Sequence, residues 1–356
     1  MTNSSYHHIA THTLEKQPKN PKTFLAVPRR STIMRLSLAL VVFIPLLWCW
    51  FTVHVVAQGL LPTVVVQDLD HLQRNRNLKE YVDNIQLLIE PSTPPCDNLL
   101  AIVTSSPLRF AQRDAIRATW GKGLRTLFLL GVNGGREEDL LVDNYIEAKL
   151  HGDMIIYQFN DHYQNLTLKT GLMMKWTLEN CPSTSWLLKT DDDVLVNPWR
   201  MREVVNGSQA ALIGYRKENN HLHRDPYNKW FVPKWLIRND YVPQYLSGTG
   251  YLINVEYIQQ ILEAAYKVLM INLEDVYFTY LVANQTVGLN LTHDRSLSPY
   301  KPWLPISCLY WGLASTHSLN PQEILKWGSR ILEMGRDYEN NKTVCAFDSF
   351  SEWLLY

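Results

Sequence analysis

A run of three aspartates, Asp191 to Asp193, follows a short apolar segment and restricts the fold of this chain more than any other feature. The preceding residues, Trp186-Leu-Leu, are continuous and apolar, which is typical of a buried strand in a mostly parallel sheet. Ligands of open α/β sheets collect at the carboxyl ends of the strands, which is where these carboxylates would emerge. The pattern therefore predicts an α/β domain with an acidic site at one edge of its sheet.

The three adjacent carboxylates predict a metal site. Like charges this close repel one another unless a cation lies between them. Oxygen ligands suit a hard cation such as Mn²⁺ or Mg²⁺, which usually bridges to the phosphates of a substrate. Two alternatives are an acidic surface turn and a calcium loop, although the alternating Asp/Asn spacing and central glycine of calcium loops are missing. The apolar flanks favour the metal site.

The N-terminal region has the charge pattern of a membrane anchor. Residues 1–35 are rich in Lys and Arg and carry one acidic residue, Glu15, whereas residues 36–57 contain none of Lys, Arg, Asp and Glu. Such a segment is long enough to cross a hydrocarbon core of about 30 Å as a helix. A cleaved signal peptide is the alternative, weakened by the long leading tail. The excess of positive charge on the N-terminal side predicts a cytoplasmic tail, a transmembrane signal-anchor at 36–57 and a lumenal body.

Glycosylation sequons and cysteines agree with a lumenal body. Five Asn-x-Ser/Thr sequons lie beyond the predicted span, at Asn165, Asn206, Asn284, Asn290 and Asn341. Cys49 lies in the span, and an even number of cysteines remains for disulfides, namely Cys96, Cys181, Cys308 and Cys345. Three pairings of these four are possible, and the sequence does not choose among them. Their spacing does not resemble a zinc site.

The remainder of the chain divides into a stem and one globular domain. Residues 58–95 mix short apolar pieces with charges and end in a cluster of prolines, which predicts a stem. From Cys96 the pattern alternates, with strands expected near 99–104, 125–131 and 153–159, and helices near 113–120 and 166–176. Alternating strands and helices predict a lumenal α/β domain over residues 96–356.

Eight segments of this domain together resemble one family of enzymes. They are Gln112–Gly121, Phe128–Gly131, Tyr163–Thr170, Lys189–Val194, Arg224–Trp230, Tyr245–Tyr251, Glu274–Tyr277 and Thr316–Ser318. In this order they resemble the β-1,3-galactosyltransferase family, glycosyltransferase family 31, which also contains β-1,3-N-acetylglucosaminyltransferases. The resemblance covers about residues 96–345. It implies a GT-A fold, which is Rossmann-like, and a type II membrane enzyme of the Golgi apparatus or endoplasmic reticulum, of which we expect the Golgi.

The resemblance also implies roles for the charged residues. Asp193 would bind the metal, Mn²⁺ or Mg²⁺, with His317 completing the site, while Asp191 and Asp192 would face the donor ribose or metal-bound water, Asp191 also being a candidate ligand. Asp275 would be the general base that takes the proton of the attacking sugar hydroxyl. From the sequence alone, a helix-capping role is the alternative for Asp275. One base and one displacement would invert an α-linked donor to a β-linked product.

Further residues are candidates for substrate binding. We expect Gly248 and Gly250 to allow close approach of the backbone to the donor, and Lys189 to bind the donor. Arg113 and Arg117, one helical turn apart, would bind the donor or be ordinary surface charges. Arg224, Lys229, Trp230 and Glu274 would lie on the acceptor or donor side. The chain departs from the family at Phe278-Thr279, because the family usually has glycine at the second of these positions.

The sequence therefore predicts an inverting, metal-dependent transfer of galactose from UDP-galactose to a sugar hydroxyl of a glycoprotein or glycolipid glycan. The alternatives are transfer of N-acetylglucosamine from UDP-GlcNAc, and a catalytically silent lectin or folding partner in the lumen. A calcium-dependent binding protein would need a ligand loop that the sequence does not contain. The formal net charge is zero, so no global basic field indicates a nucleic-acid partner.

Overall fold

The computed structural model describes residues 41, 43–50, 75–92, 96–133 and 138–345, the side chain of residue 138 excepted. The chain forms two compact units, residues 1–64 and 65–356. Within the first unit, residues 43–50 are helical. Among the described residues, no helix has the length and apolar character needed to cross a bilayer. The predicted tail, most of the predicted span 36–57 and part of the predicted stem lie outside the described residues.

The second unit is built on an eight-stranded mixed sheet. Its strands follow the order β1-β4-β3-β2-β5-β8-β7-β9, and a three-stranded sheet has the order β10-β11-β6. The central strands β4, β3, β2 and β5 are parallel, whereas β8 runs antiparallel to both β5 and β7. The strands are β1 (Leu87–Ile89), β2 (Leu99–Thr104), β3 (Arg125–Gly131), β4 (Met154–Tyr157), β5 (Trp186–Asp191), β6 (Leu195–Val196), β7 (Leu212–His221), β8 (Tyr241–Asn254), β9 (Leu291–His293), β10 (Leu297–Ser298) and β11 (Ser315–Thr316).

Helices cover the sheet on both sides, which confirms the predicted α/β class. A π-helix, Val276–Val287, follows Asp275 and packs against β8. The α-helices are α1 (Leu78–Asn84), α2 (Phe110–Ala118), α3 (Glu138–His151), α4 (Leu166–Asn180), α5 (Pro198–Val205), α6 (Ile258–Ala265), α7 (Ser307–Trp311) and α8 (Pro321–Glu339).

The continuous apolar strands of the sequence are buried on both faces. In β2, Leu100 and Ile102 enter one hydrophobic cluster, whereas Ala101 and Val103 enter the cluster on the opposite face. Successive strand side chains point to opposite faces, so a strand between two layers of helices needs apolar residues at every position. Full burial of Ile102 contributes roughly 1.5–3 kcal/mol. These strands fix the edge of the sheet at which β5 ends.

The predicted stem was assigned too many residues. Residues 75–92 belong to the globular body, because α1 buries Leu78 and Val82 in the core and β1 pairs antiparallel with β4. The guanidinium of Arg76 donates a 2.7 Å hydrogen bond to the carbonyl oxygen of Met270. The physical reason for the error is that these contacts are all long-range, whereas the nearby prolines interrupt only the local pattern. The body therefore begins before Cys96.

Two disulfides select one of the three possible pairings. Cys96 is bonded to Cys181, which joins the segment before β2 to the end of α4, and Cys308 in α7 is bonded to Cys345 beyond α8. Such crosslinks typically stabilise a fold by about 2–4 kcal/mol, mainly by restricting the unfolded chain. Cys96 and Cys181 precede the amino-terminal ends of β2 and β5, so their disulfide lies at the opposite edge of the sheet from the acidic motif.

Candidate active site

Asp191 is the last residue of β5, as the acidic motif predicted. Its Oδ1 accepts a 2.7 Å hydrogen bond from the hydroxyl of Thr104, the last residue of the neighbouring strand β2, and a 2.8 Å bond from Nζ of Lys189. The carboxyl ends of two adjacent parallel strands thus meet at this carboxylate. The motif lies at the edge of the sheet where α/β proteins bind ligands.

Asp191, Asp193 and His317 form a cluster that can hold a metal ion. One ligand atom from each lies within 4.8 Å of the others. The antiparallel pairing of β6 with β11 brings them together, because Thr316 of β11 lies opposite Leu195 of β6, and the loops next to this pair carry His317 and Asp193. Nε2 of His317 is 3.3 Å from Oδ1 of Asp193.

The protonation of this cluster is set by mutual attraction. Burial alone would raise the pKa of Asp193, but the His317 bond lowers it on balance. Burial would lower the pKa of His317, and the Asp193 carboxylate raises it instead. Nδ1 of His317 is 2.7 Å from the hydroxyl of Ser318, which supports the ring from its other side. Two partly exposed carboxylates and one imidazole suit a divalent cation such as Mn²⁺.

Asp192 faces away from this cluster toward an arginine that the sequence did not single out. Its carboxylate accepts a 2.7 Å bond from Nη2 of Arg109 and a 2.8 Å bond from the hydroxyl of Ser105. Arg109 precedes α2, just beyond the end of β2. Because β2 and β5 are neighbours, the ends of both strands share one site, but this is visible only once the strand order is known.

Lys189 is fully buried, and its ammonium group is engaged within the fold. Its ammonium is 2.8 Å from Asp191, 2.5 Å from the Gly248 carbonyl oxygen and 3.5 Å from Glu274. Burial alone would lower the pKa of Lys189, but Asp191 and Glu274 raise it, so the charge is retained. All three contacts join elements of the fold, and the donor-binding role expected for Lys189 stays a prediction.

Glu274 is equally internal. It is buried, and the hydroxyl of Tyr251 donates a hydrogen bond to its carboxylate. Burial raises the pKa of Glu274, although Lys189 opposes this. Its partners in the structure are Lys189 and Tyr251, and the substrate contact expected for Glu274 stays a prediction. It forms the back of the site rather than its wall.

Asp275 begins the π-helix and lies beside the glycine loop. Its carboxylate accepts a 3.1 Å bond from the backbone N–H of Gly248 and a 2.9 Å bond from that of Val276. It therefore caps the helix, which is the alternative role that the sequence left open for this residue. A Cβ on Gly248 would lie 3.1 Å from the Asp275 carboxylate, which explains the need for glycine there. Gly250 instead packs against Thr190 of β5.

A pocket of about 230 Å³ opens above Asp275. Its lining includes the rings of Tyr163, His221, His223, Trp230 and Tyr245. Of the four residues expected on the acceptor or donor side, Trp230 lines this pocket, and Nζ of Lys229 lies 4.4 Å from the centroid of the Trp230 ring. Flat aromatic faces beside a carboxylate are suited to a sugar ring that presents a hydroxyl.

Arg224 supports the pocket from behind. Its guanidinium donates hydrogen bonds of 2.6 Å to the Val232 carbonyl oxygen and 3.0 Å to that of Ile237, and it forms an ion pair with Asp240. These bonds hold the loop that follows Trp230. The side chain thus positions part of the pocket wall instead of lining it.

Arg113 and Arg117 are engaged within the fold. Arg113 is fully buried, and its Nε donates a 2.8 Å bond to Glu147. Nη1 of Arg117 lies 2.6 Å from Glu147, and its Nε is 2.8 Å from Asp153. Neither the donor contact nor the exposed charge expected for Arg113 is compatible with its full burial. These two arginines fasten α2 to α3, and Arg109 is the arginine found at the acidic motif.

The five predicted glycosylation asparagines differ in exposure. The structure places Asn206, Asn290 and Asn341 at the surface. Asn165 and Asn284 are half-buried, and their side-chain amides donate hydrogen bonds to the carbonyl oxygens of Asn160 and Leu289.

The chain matches known glycosyltransferases. Residues 111–293 match the family described as Galactosyltransferase. The chain is 34% identical to human beta-1,3-galactosyltransferase 5 over 66% of its own length and 78% of that protein. It is 31% identical to human UDP-GalNAc:beta-1,3-N-acetylgalactosaminyltransferase 1 over 66% of its length and 74% of that protein. The chain therefore belongs to the β-1,3-galactosyltransferase family, glycosyltransferase family 31, and is a glycosyltransferase.

Solved structures add little to this assignment. A glycosyltransferase involved in glycosylation of the major capsid of PBCV-1 is 12% identical, with a TM-score of 0.32 over 65% of this chain and 99% of that one. A score this low does not establish a shared fold. The mixed, mostly parallel sheet with an acidic motif at its edge nevertheless fits the GT-A architecture that the sequence predicted.

Proposed function

We propose that this protein is an inverting, metal-dependent β-1,3-galactosyltransferase that moves galactose from UDP-galactose to a sugar hydroxyl of a glycoprotein or glycolipid glycan. The observation that carries the proposal is a continuous set of contacts from Asp191 through Lys189 and Gly248 to Asp275. It holds an acidic metal cluster and a separate carboxylate in one site, at the ends of adjacent elements. A sugar-nucleotide transferase needs both of these groups.

Asp275 is suited to act on the acceptor. Its carboxylate lines the aromatic pocket and can take the proton from a hydroxyl as that oxygen attacks the anomeric carbon. Burial raises the pKa of Asp275, which makes it a stronger base, while the charges of Lys217 and Lys189 oppose this and favour the ionised form. A single displacement on the face opposite the leaving group inverts an α-linked donor to a β-linked product.

Asp191, Asp193 and His317 would hold the metal ion on the donor side. A bound Mn²⁺ or Mg²⁺ stabilises the negative charge that develops on a pyrophosphate leaving group, so that no protein acid is needed there. Lys189 keeps Asp191 in place with a 2.8 Å contact. Arg109, bonded to Asp192 and partly exposed, is the cation available near the donor phosphates or ribose.

The aromatic pocket would bind the acceptor sugar. Trp230, which is 42% exposed, lines it together with Tyr163, Tyr245 and Asp275. Stacking of a pyranose ring on such faces leaves the hydroxyls at its rim free for hydrogen bonds. This would orient one hydroxyl toward the Asp275 carboxylate.

A second donor is favoured by one of the relatives. The similarity to a UDP-GalNAc:beta-1,3-N-acetylgalactosaminyltransferase makes UDP-GalNAc a candidate beside UDP-galactose. The two sugars differ at C2 of the pyranose ring. UDP-GlcNAc, the alternative from the sequence, belongs in the same comparison.

The decisive experiment is a screen of the full-length chain in detergent against the three UDP-sugars and an array of glycan acceptors, with Mn²⁺ present. We expect transfer from UDP-galactose, formation of a β-1,3 linkage and strongly reduced transfer by Asp275→Asn. Transfer of N-acetylgalactosamine or N-acetylglucosamine instead would change the donor but preserve the mechanism. Binding of glycans without transfer from any donor would support the lectin alternative.

We also propose a type II position in the Golgi membrane, with residues 1–35 in the cytosol and the catalytic body in the lumen. The basic tail, the uncharged segment 36–57 and the surface sequons support it. Expressed in animal cells, the protein should shift to lower mass after glycosidase treatment and keep its N-terminus accessible to protease from the cytosol. A secreted product lacking the N-terminus would contradict the anchor.

A further inference from the structure

We propose that Thr279 is a positioning residue that fixes the carboxylate of Asp275 for proton transfer. The proposal rests on the proposed function of Asp275 as the general base. Thr279 is fully buried in the π-helix, four residues after Asp275. It does not line the aromatic pocket, so an effect on transfer would have to act through Asp275.

The hydroxyl of Thr279 makes two hydrogen bonds in opposite directions. It donates a 2.6 Å bond to the carbonyl oxygen of Asp275 and accepts a 3.0 Å bond from the backbone N–H of Leu246 in β8. A hydroxyl has one hydrogen to donate, and here that hydrogen is committed to Asp275. The side chain therefore joins the first turn of the π-helix to β8.

Leu246 lies at the start of an irregularity in β8. Gly214 of β7 pairs with Tyr251 of β8, and Arg216 of β7 pairs with Leu246 of β8. More residues of β8 than of β7 therefore lie between these two pairs. The extra residues form a bulge, which re-aims the backbone. Within this bulge, the N–H of Gly248 is directed at the Asp275 carboxylate, 3.1 Å away.

These contacts form a closed circuit of hydrogen bonds that includes both the side chain and the backbone of Asp275. Its carboxylate is bonded to Gly248, the chain runs back to Leu246, and Leu246 is bonded through Thr279 to the carbonyl of Asp275. Removing the hydroxyl would open the circuit on the backbone side. The N–H of Leu246 would then be buried without its partner, so that the bulge and the helix could separate.

The opposite side of the bulge is tied to the metal cluster. The Gly248 carbonyl oxygen accepts a 2.5 Å bond from Lys189, which also contacts Asp191. Thr279 therefore determines where Asp275 lies relative to the donor side as well. Both bonds need a side-chain hydroxyl at this position. The arrangement is specific to a threonine or serine here.

The test compares Thr279→Val, which keeps the shape and removes the hydroxyl, with Thr279→Ser, which keeps the hydroxyl. Thr177→Val is the matched control, because Thr177 is also fully buried and donates a 2.9 Å bond to the carbonyl four residues earlier, Met173, in α4. All variants are made in the full-length chain. Transfer rate, UDP affinity with Mn²⁺, and hydrogen exchange of the amides in residues 246–250 are measured on each preparation.

We expect Thr279→Val to lower kcat about tenfold or more, because small displacements of a catalytic group are costly. Its UDP affinity should stay within about twofold, and the 246–250 amides should exchange faster. Thr279→Ser should restore both kcat and protection, and Thr177→Val should change neither. Unchanged kcat and protection in Thr279→Val would overturn the proposal. An equal loss in Thr279→Ser, or parallel loss of UDP affinity, would show a packing role instead.

The exchange measurement separates this inference from the proposed function. If the wild-type chain transfers no sugar, the proposed function fails, but faster exchange in Thr279→Val would still establish that Thr279 holds the bulge against Asp275. If the wild type transfers sugar and the valine variant equals it in kcat and exchange, then the Thr279 inference alone is wrong.

Discussion

Nε2 of His317 lies 3.3 Å from Oδ1 of Asp193, although the two residues are distant in sequence. The short pair of β6 and β11 carries them on adjacent loops, and the backbone N–H of Leu319 donates a 2.9 Å bond to the Asp193 carbonyl oxygen. Because this second contact is a backbone hydrogen bond, it holds the two loops together whatever the charge of the Asp193 and His317 side chains. The loops are thus held ready for a cation between the two ligands.

Removal of either ligand should weaken metal-dependent donor binding. We expect Asp193→Ala and His317→Ala each to lower UDP affinity in Mn²⁺, because each removes one of the ligand groups of the cluster. Titration calorimetry with UDP, with and without Mn²⁺, measures this. His151→Ala is the control, since His151 is exposed at the end of α3. Chelator should abolish transfer, and full activity in its presence would show that the cluster holds no essential metal.

The pH dependence of transfer should report the environment of Asp275. Burial raises the pKa of Asp275 above that of an ordinary aspartate, which is about 3.9, and Lys217 lowers it. A base must be ionised, so kcat should fall as the pH drops through the raised pKa. Lys217→Met removes a neighbouring positive charge and should move this acidic limb to higher pH. Other ionisable groups near Asp275 include Lys189, Glu274, Tyr163, Tyr245 and Tyr251, and His221 and His223 line the same pocket.

The control for the pH prediction is Lys122→Met, which removes an exposed charge away from the pocket. Its pH profile should match that of the wild type. Lys217 also lines the pocket, so kcat at saturating acceptor is compared rather than kcat/KM. A shift of the acidic limb to lower pH in Lys217→Met would contradict the assignment of the limb to Asp275.

Soluble fragments should reveal where the globular body begins. A fragment of residues 65–356 keeps α1 and β1, whereas residues 96–356 lose Arg76, the strand pairing with β4 and two buried side chains. Each of Leu78 and Val82 contributes roughly 1.5–3 kcal/mol by its burial. The shorter fragment should therefore melt at a lower temperature. In the longer fragment, Leu78→Ala should lower the free energy of unfolding by about 2–5 kcal/mol. Equal melting temperatures of the two fragments would instead support a stem that extends to residue 95.

Much of the fold could be predicted because its central strands are buried on both faces. Such strands need a continuous apolar run, as in β2 and β5, and this signal is local. The position of Asp191 followed, because the carboxyl end of a parallel strand is a binding edge in α/β proteins. Residues 75–92 gave no such signal, since β1 is short and pairs with a strand far along the chain.

The sequence indicated which charged residues are important better than it indicated where their side chains point. Lys189 shares a face of β5 with Leu187, which lies in the core, so strand alternation could have indicated that Lys189 is buried. Arg109 could not be singled out, because its approach to Asp192 depends on β2 and β5 being neighbours. For Arg113, the partner Glu147 lies on another helix, and only tertiary packing brings the two together.

Replacement of Asp275 by asparagine separates catalysis from binding. Asp275→Asn keeps the shape of the side chain and removes the proton acceptor, whereas donor binding depends on the metal cluster and nucleotide contacts. Transfer should fall by about a hundred- to ten-thousandfold, which is the typical contribution of a positioned general base. UDP affinity in Mn²⁺ should persist. Transfer rate, UDP affinity and melting temperature are measured on one preparation.

The helix-capping role of Asp275 predicts the opposite pattern. Loss of a cap costs about 0.5–2 kcal/mol of stability, so the melting temperature would fall while transfer per folded molecule stayed nearly constant. Asp143→Asn, an equal change of charge at an exposed position on α3, controls for charge alone and should leave all three measurements unchanged. If Asp275→Asn transfers sugar within a few fold of the wild type, then Asp275 is a cap and not the base.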